Sequence, residues 1–219
     1  MIAALLPAGV IAVETREDQL DVELFPEEEL ALGQAVEKRR REFTTARACA
    51  RTALAELGHP AVPIPTGERG APVWPAGVVG SITHCKGYRA CAVARSSEFA
   101  AVGIDAEPNA ALPAGLVGDI ARPEELPWLG RLELELPEVH WDRLLFSAKE
   151  SVYKAWFPLA KRWLGFEDAV VTVDPSAGAF TAELLVSGPP TADGQLRGFS
   201  GRWMVRDGII LTAIAMGGG

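Results

Sequence analysis

Two long stretches of helical periodicity, each followed by runs with strand character, constrain this chain more than any other feature. The first, "FPEEELALGQAVEKRRREFTTARACARTALAELG", opens with Pro26 and three glutamates. Proline fits the first helical turn, and carboxylates suit the positive end of the helix dipole. Val36, Phe43, Ala46, Ala50, Ala53 and Leu57 recur at helical spacing until Gly58 and Pro60 close the run. One long helix is predicted, with a break near Gly33. The second, "WDRLLFSAKESVYKAWFP", is helical and predicted to stop at Pro158.

Strand-like runs surround both. Residues 10–14 precede the first helix, and residues 78–82, 90–95 and 100–105 follow a Pro- and Gly-rich loop. After the second helix come residues 169–173, 180–186, 201–205 and 209–215. Residues 108–140, rich in Pro, Leu and Glu, read as a connection or lid between halves. The order is strand, helix, strands, then loop, helix, strands. That predicts an α+β fold of two halves with similar layout, residues 1–103 and 104–219, although no internal sequence repeat is evident.

With 219 residues and 48% hydrophobic side chains, the chain can bury a sizeable core. A net charge of -8 argues against a general nucleic-acid binder, whose affinity comes from cation–phosphate contacts. Cys49, Cys85 and Cys91 lack C-x-x-C spacing and read as reduced thiols of a cytoplasmic protein. The apolar start lacks a basic segment and meets acid by Glu14, which reads as a first strand and not a signal peptide. No stretch is long and apolar enough for a membrane span.

"AAVGIDAEP" begins as a buried strand and ends with Asp105 and Glu107 on one face, since residues i and i+2 of a strand point the same way. Two carboxylates so close repel unless a cation or proton lies between them. The plain alternative is a strand running into a polar loop. Glu150 and Lys154 stand four apart, on one helix face. Such a pair is ordinarily a surface salt bridge, but Phe146, Val152, Tyr153, Trp156 and Phe157 leave little of this helix for water. A third carboxylate beside Asp105 and Glu107 would complete an oxygen site of the kind Mg²⁺ shares with phosphate, and a nearby lysine could neutralise that phosphate.

In "EKRRREFTTARACAR", Arg40, Arg47 and Arg51 lie along one stripe, with Lys38, Arg39 and Arg41 nearby. This is either the wet face of a helix or, in an acidic chain, a phosphate seat. Arg69 sits in a glycine-flanked loop whose amides could also reach an anion. Thr83 and His84 follow a short strand into a turn, where an exposed imidazole can donate to phosphate. Nothing resembles a nucleophile elbow, a P-loop or a dinucleotide fingerprint.

"VGIDAEP" followed by "FSAKESVYKAW" resembles the two signature motifs of Sfp-type 4'-phosphopantetheinyl transferases. "GSITHC" is similar to their upstream Ser/Thr-His motif and "TGERGAPVWP" to the loop before it. "AWFPLAKRWLGFEDA" resembles the actinobacterial branch acting on carrier proteins of lipid, polyketide and peptide synthases. The four motifs span residues 36–166.

This resemblance implies a pseudo-twofold pair of α+β halves with coenzyme A in the cleft between them. It implies Mg²⁺, or alternatively Mn²⁺, on Asp105, Glu107 and Glu150, with Lys154 and His84 on the phosphates. Arg39 or Arg40, Arg47, Thr83 and the Thr66, Gly67, Glu68, Arg69 loop would hold the nucleotide end. Tyr153 and Trp163 would flank the pantetheine arm. Close relatives carry a lysine near Thr66 that is missing here, with Arg69 as the compensating cation.

The implied reaction moves 4'-phosphopantetheine from coenzyme A to a serine of an apo acyl or peptidyl carrier protein. Glu150 would be the base, directly or through a water. Apolar residues of the 108–140 connection and of 157–163 would receive the carrier, and one chain carries both sides of the cleft, so a monomer suffices. The alternatives are a decayed coenzyme A- or carrier-binding module, and a Mg²⁺-dependent hydrolase of nucleotide pyrophosphates.

Overall fold

A computed structural model of the chain describes residues 1–19, 21–191 and 194–218. Strand β1 (Ile11–Thr15) leads into helices α1 (Pro26–Leu32) and α2 (Glu37–Glu56). The predicted break is real: Gly33 takes φ +49°, a left-handed conformation that costs glycine no Cβ clash. Helix α2 then buries Cys49, Ala50, Ala53 and Leu54 against Cys91 and Val93 of the sheet. Strands β2 (Val78–Cys85) and β3 (Tyr88–Arg95) form a hairpin, and β3 also pairs with β1, giving an antiparallel sheet of order β1-β3-β2.

The chain then repeats this plan on a larger scale. Strand β4 (Phe99–Pro108) leads through α3 (Val117–Ile120) and α4 (Leu126–Glu135) to α5 (Trp141–Ala160). Strands β5 (Ala169–Asp174) and β6 (Ala179–Leu184) follow, then a small ribbon of β7 (Pro190–Thr191) and β8 (Gly194–Gln195). The hairpin β9 (Gly198–Arg206) and β10 (Ile209–Gly217) closes a sheet of order β4-β10-β9-β6-β5. In each half the last strand pairs antiparallel with the first, β3 with β1 and β10 with β4. Helices α2 and α5 are 20 residues each.

The boundary expected between residues 103 and 104 falls inside β4, whose ladder to β10 places the whole strand with the C-terminal sheet. On its other side β4 lies against β2 without a backbone ladder. There the amides of Ile104 and Ala106 donate to the hydroxyls of Ser81 (3.1 Å) and Thr83 (3.0 Å). Two serine/threonine side chains thus satisfy β4 donors that would otherwise be buried without partners.

Two further expectations change. Helix α5 continues past Pro158 to Ala160, because a proline in the last turn removes one amide donor while buried Trp156 and Phe157 anchor the end. The amide of Lys161 (φ +51°) closes the helix on the carbonyl of Phe157. Residues 108–140 do not bridge the halves as a lid: Leu112, Ile120, Leu129 and Leu132 join the core formed by Trp141, Leu144 and Trp156. The apolar positions of this segment are spent on the C-terminal half, leaving Leu116, Leu126 and Leu134 exposed.

Candidate active site

Strand β4 presents Asp105 and Glu107 at the junction of the halves, and α5 lies across it. The approach depends on Gly103, where a Cβ would stand 2.1 Å from the carbonyl oxygen of Ser151 and 2.8 Å from the amide of Ala155. With that contact made, Lys154 Nζ donates to Asp105 Oδ1 at 2.7 Å and to the carbonyl of Ile104 at 3.1 Å. Thr83 Oγ1 donates to the same Asp105 oxygen at 3.2 Å. The other oxygen, Oδ2, is buried with no hydrogen-bond partner.

The neighbouring carboxylates feel this charge. Burial and then Asp105 raise Glu150 above the usual carboxylate range, with Lys154 opposing. Burial and Asp105 also raise Glu107, against an ion pair at 2.9 Å from Arg143. Negative charge is therefore in excess around an orphaned oxygen, and the donors are all hard carboxylate oxygens, which fits Mg²⁺ or Mn²⁺. Among the described residues no three His, Cys, Asp or Glu side chains gather closely enough to chelate an ion together. Instead Lys154 and Arg143 hold the positive counter-charge on Asp105 and Glu107.

The basic stripe of α2 divides in two. Arg40 makes a two-bond ion pair with Glu29 (2.9 and 2.8 Å), and Arg51 pairs with Glu28, so both serve to fasten α1. Arg39 instead turns toward β2, where Nη1 donates to His84 Nε2 at 3.0 Å. A proton on Nδ1 then faces Glu42, 3.9 Å away. Partial burial and the Arg39 charge lower the His84 pKa. Arg47 stacks 4.2 Å over Phe43, donates to Thr66 Oγ1 at 3.2 Å, and keeps its buried Nε unpartnered. Burial pushes its pKa down to about 10.

The Thr66 loop folds onto itself through the Gly67 amide and the Ala71 carbonyl (2.7 Å), carrying Glu68 and Arg69 in a tight turn. Arg69 (φ +54°) reaches across the cleft, its guanidinium 5.3 Å from the ring of Trp163. Trp163 packs against Tyr153 at 4.9 Å. Tyr153 borders two hollows that also share Glu150. One, of about 260 Å³, is lined by Glu150, Tyr153, Trp163, Leu164 and Phe166. The other, of about 220 Å³, is lined by Arg69, Trp74, Glu150, Tyr153 and Lys154. Glu150 therefore puts one carboxylate beside largely apolar walls.

Most of the candidate residues converge on this cleft; Arg40 does not, and Thr83 lies behind it. Three contributors escaped the sequence reading. Arg143 shares a face of α5 with Glu150 and Lys154 at i, i+7 and i+11, a spacing that could have revealed it. Glu42 interrupts the basic run one turn after Arg39. Lys149 is buried and bonded to Glu125 (2.8 Å) and to the carbonyls of Ile120 and Phe166, which fixes α5 beside Glu150.

Comparison with known proteins shows the family. Residues 27–94 match the model of the 4'-phosphopantetheinyl transferase N-terminal domain, and residues 101–198 match that of the 4'-phosphopantetheinyl transferase superfamily. The chain is 52% identical over 219 residues to the 4'-phosphopantetheinyl transferase Svp of Streptomyces mobaraensis, covering 99% of this chain and 89% of the relative. It is 53% identical over 223 residues to Npt of Nocardia iowensis (98% and 99% covered) and 44% over 225 residues to PptT of Mycobacterium tuberculosis (99% and 98%). With both halves matched and the whole length aligned, the chain belongs to the 4'-phosphopantetheinyl transferase superfamily.

Proposed function

We propose that the cleft binds coenzyme A with its pyrophosphate against Asp105, Glu107, Glu150, Lys154 and His84. Its 3'-phosphate end lies toward Arg39, Arg47 and the Thr66–Arg69 loop, and its pantetheine arm lies along Tyr153 and Trp163. The protein is a 4'-phosphopantetheinyl transferase: it moves 4'-phosphopantetheine from coenzyme A to a serine of an apo carrier protein. The observation that carries the site reading is Asp105 Oδ2, buried and unpartnered; burial and then the charge of this carboxylate raise the pKa of both Glu107 and Glu150.

With the Glu107 side chain turned from Arg143 toward the other two, Asp105, Glu107 and Glu150 would hold Mg²⁺, or Mn²⁺ in its place, which when bound supplies charge stabilisation to the pyrophosphate. Lys154 places a donor against the same phosphates, where charge shifts toward the leaving group, and His84 would donate there once Arg39 releases its Nε2. Glu150, directly or through a water, accepts the proton as the serine oxygen attacks the β-phosphorus. The bond between the β-phosphorus and the bridging oxygen breaks. The products are holo-carrier protein and adenosine 3',5'-bisphosphate.

Acyl and peptidyl carrier domains are the acceptors, docking near exposed Leu116 and Trp163. Both sides of the cleft come from one chain, which supports a monomer. Three buried free thiols support a cytoplasmic setting, and no described helix is long and apolar enough to cross a membrane.

Intact-mass spectrometry of an apo carrier protein incubated with the enzyme, coenzyme A and Mg²⁺ tests this reading. A gain of one phosphopantetheine mass, abolished by EDTA and restored by excess Mg²⁺, is expected. Undiminished transfer in EDTA would remove the metal from the mechanism, and no gain on any of several acyl and peptidyl carriers would overturn the acceptor class.

A further inference from the structure

We infer that Thr83 is a positioning residue that fixes the Asp105 carboxylate with one oxygen left free for a divalent cation, and not a contact for coenzyme A. Alternation along β2 sends Thr83 and the neighbouring His84 to opposite faces. The His84 side chain is 36% exposed and faces Arg39, whereas Thr83 is only 2% exposed and sits in the seam between β2 and β4. No ligand in the cleft can reach its hydroxyl.

The hydroxyl both accepts and donates in that seam. It accepts from the Ala106 amide at 3.0 Å and donates to Asp105 Oδ1 at 3.2 Å. Lys154 donates to the same oxygen from the other half of the cleft at 2.7 Å. Oδ1 is therefore held twice, once from each half, while Oδ2 is held by nothing and is buried. Rotating the carboxylate would break two bonds and gain none, so the free oxygen stays where it is. A carboxylate fixed in this way offers a cation one oriented donor without first ordering its side chain.

Ser81 separates this role from mere structural stitching. It accepts the Ile104 amide at 3.1 Å, the same kind of bond one strand step away, but has no bond to a carboxylate. The inference rests on Asp105 being a ligand of the divalent cation.

The test is a titration of each full-length protein with Mn²⁺, following the electron paramagnetic resonance signal of free Mn²⁺, with thermal melts on the same samples. Thr83→Val should weaken Mn²⁺ binding about 10- to 100-fold, the usual effect of losing an outer-shell partner, and Thr83→Ser should restore it. Ser81→Ala should lower the melting temperature while leaving Mn²⁺ affinity unchanged. Unaltered Mn²⁺ binding in Thr83→Val, or equal weakening in Ser81→Ala, would overturn the positioning role and leave the metal site standing. Absence of Mn²⁺ binding by the unmodified protein would overturn the metal site and this role with it.

Discussion

Glu28 and Glu125 make the same set of bonds in the two halves of the chain. Glu28 accepts the amides of Phe25 (3.0 Å) and Ile64 (2.9 Å) and pairs with Arg51 of the long helix at 2.7 Å. Glu125 accepts the amides of Arg122 (2.7 Å) and Val171 (2.6 Å) and pairs with Lys149 of the other long helix at 2.8 Å. Each is fully buried and follows a Pro-Glu step, in Phe25-Pro26-Glu27-Glu28 and Arg122-Pro123-Glu124-Glu125. The relation between the halves thus extends from topology to individual side chains. A buried carboxylate is tolerated here because amides and a cation satisfy it.

The two glutamates should not be equally costly to remove. Glu125→Ala strands Lys149, whose side chain is 2% exposed, and should cost about 3–5 kcal/mol, as for a broken buried pair. Glu28→Ala should cost less, because the Arg51 side chain is 14% exposed and can turn to water. Urea unfolding of both variants checks the order; a larger loss at Glu28 would contradict it.

Gly103→Ala should both destabilise the fold and disturb the site. The added methyl meets backbone atoms of α5, which cannot swing aside as a flexible side chain would. A cost of about 3 kcal/mol, at the upper end of overpacking, is expected in thermal unfolding. Lys154 would be pushed away from Asp105, so transfer activity should fall even well below the melting temperature.

Arg39 and Arg40 can be told apart by binding. Arg39→Gln removes the guanidinium beside His84 and should weaken coenzyme A binding about tenfold or more, the scale of a charge-assisted hydrogen bond. Arg40→Gln breaks an ion pair whose partners are both substantially exposed, which costs about 0–1 kcal/mol of stability. Calorimetric titration with coenzyme A should show the effect at Arg39 alone.

Glu150→Gln should lower turnover about 100- to 10,000-fold at saturating Mg²⁺, the range for losing a general base. Coenzyme A affinity should change far less. A variant that loses affinity and keeps turnover would shift the proton acceptor elsewhere in the cleft.

His84 should impose an acid limit on stability. Its lowered pKa means that the folded protein favours the neutral ring. As pH falls through about 6.5 the unfolded chain takes up a proton that the fold resists, so stability declines until the folded ring titrates too. The His84 contribution is therefore complete above that pH and lost below it. His84→Gln should lose less stability than the unmodified protein between about pH 7.5 and about pH 5.5 in urea unfolding.

Much of this protein was legible along the chain. Period-two runs and the two helical stretches specify the α+β order, because local backbone geometry dictates those periods. Asp105 with Glu107, and Glu150 with Lys154, share faces by spacing alone. What spacing could not show is which groups meet across the cleft. Lys154 finds Asp105 only because Gly103 lets α5 rest on β4, and Glu107 is answered by Arg143 from the start of the same helix. The repeated Pro-Glu-Glu step is too short to stand out until its bonds are seen. Helix phase put Arg40 on the phosphate stripe, but an acidic α1 folded back after Gly33 claims it and leaves Arg39 to His84. Periodicity is a property of neighbours in sequence, whereas partner choice among charged side chains depends on burial and on which elements pack, and only the tertiary structure decides that.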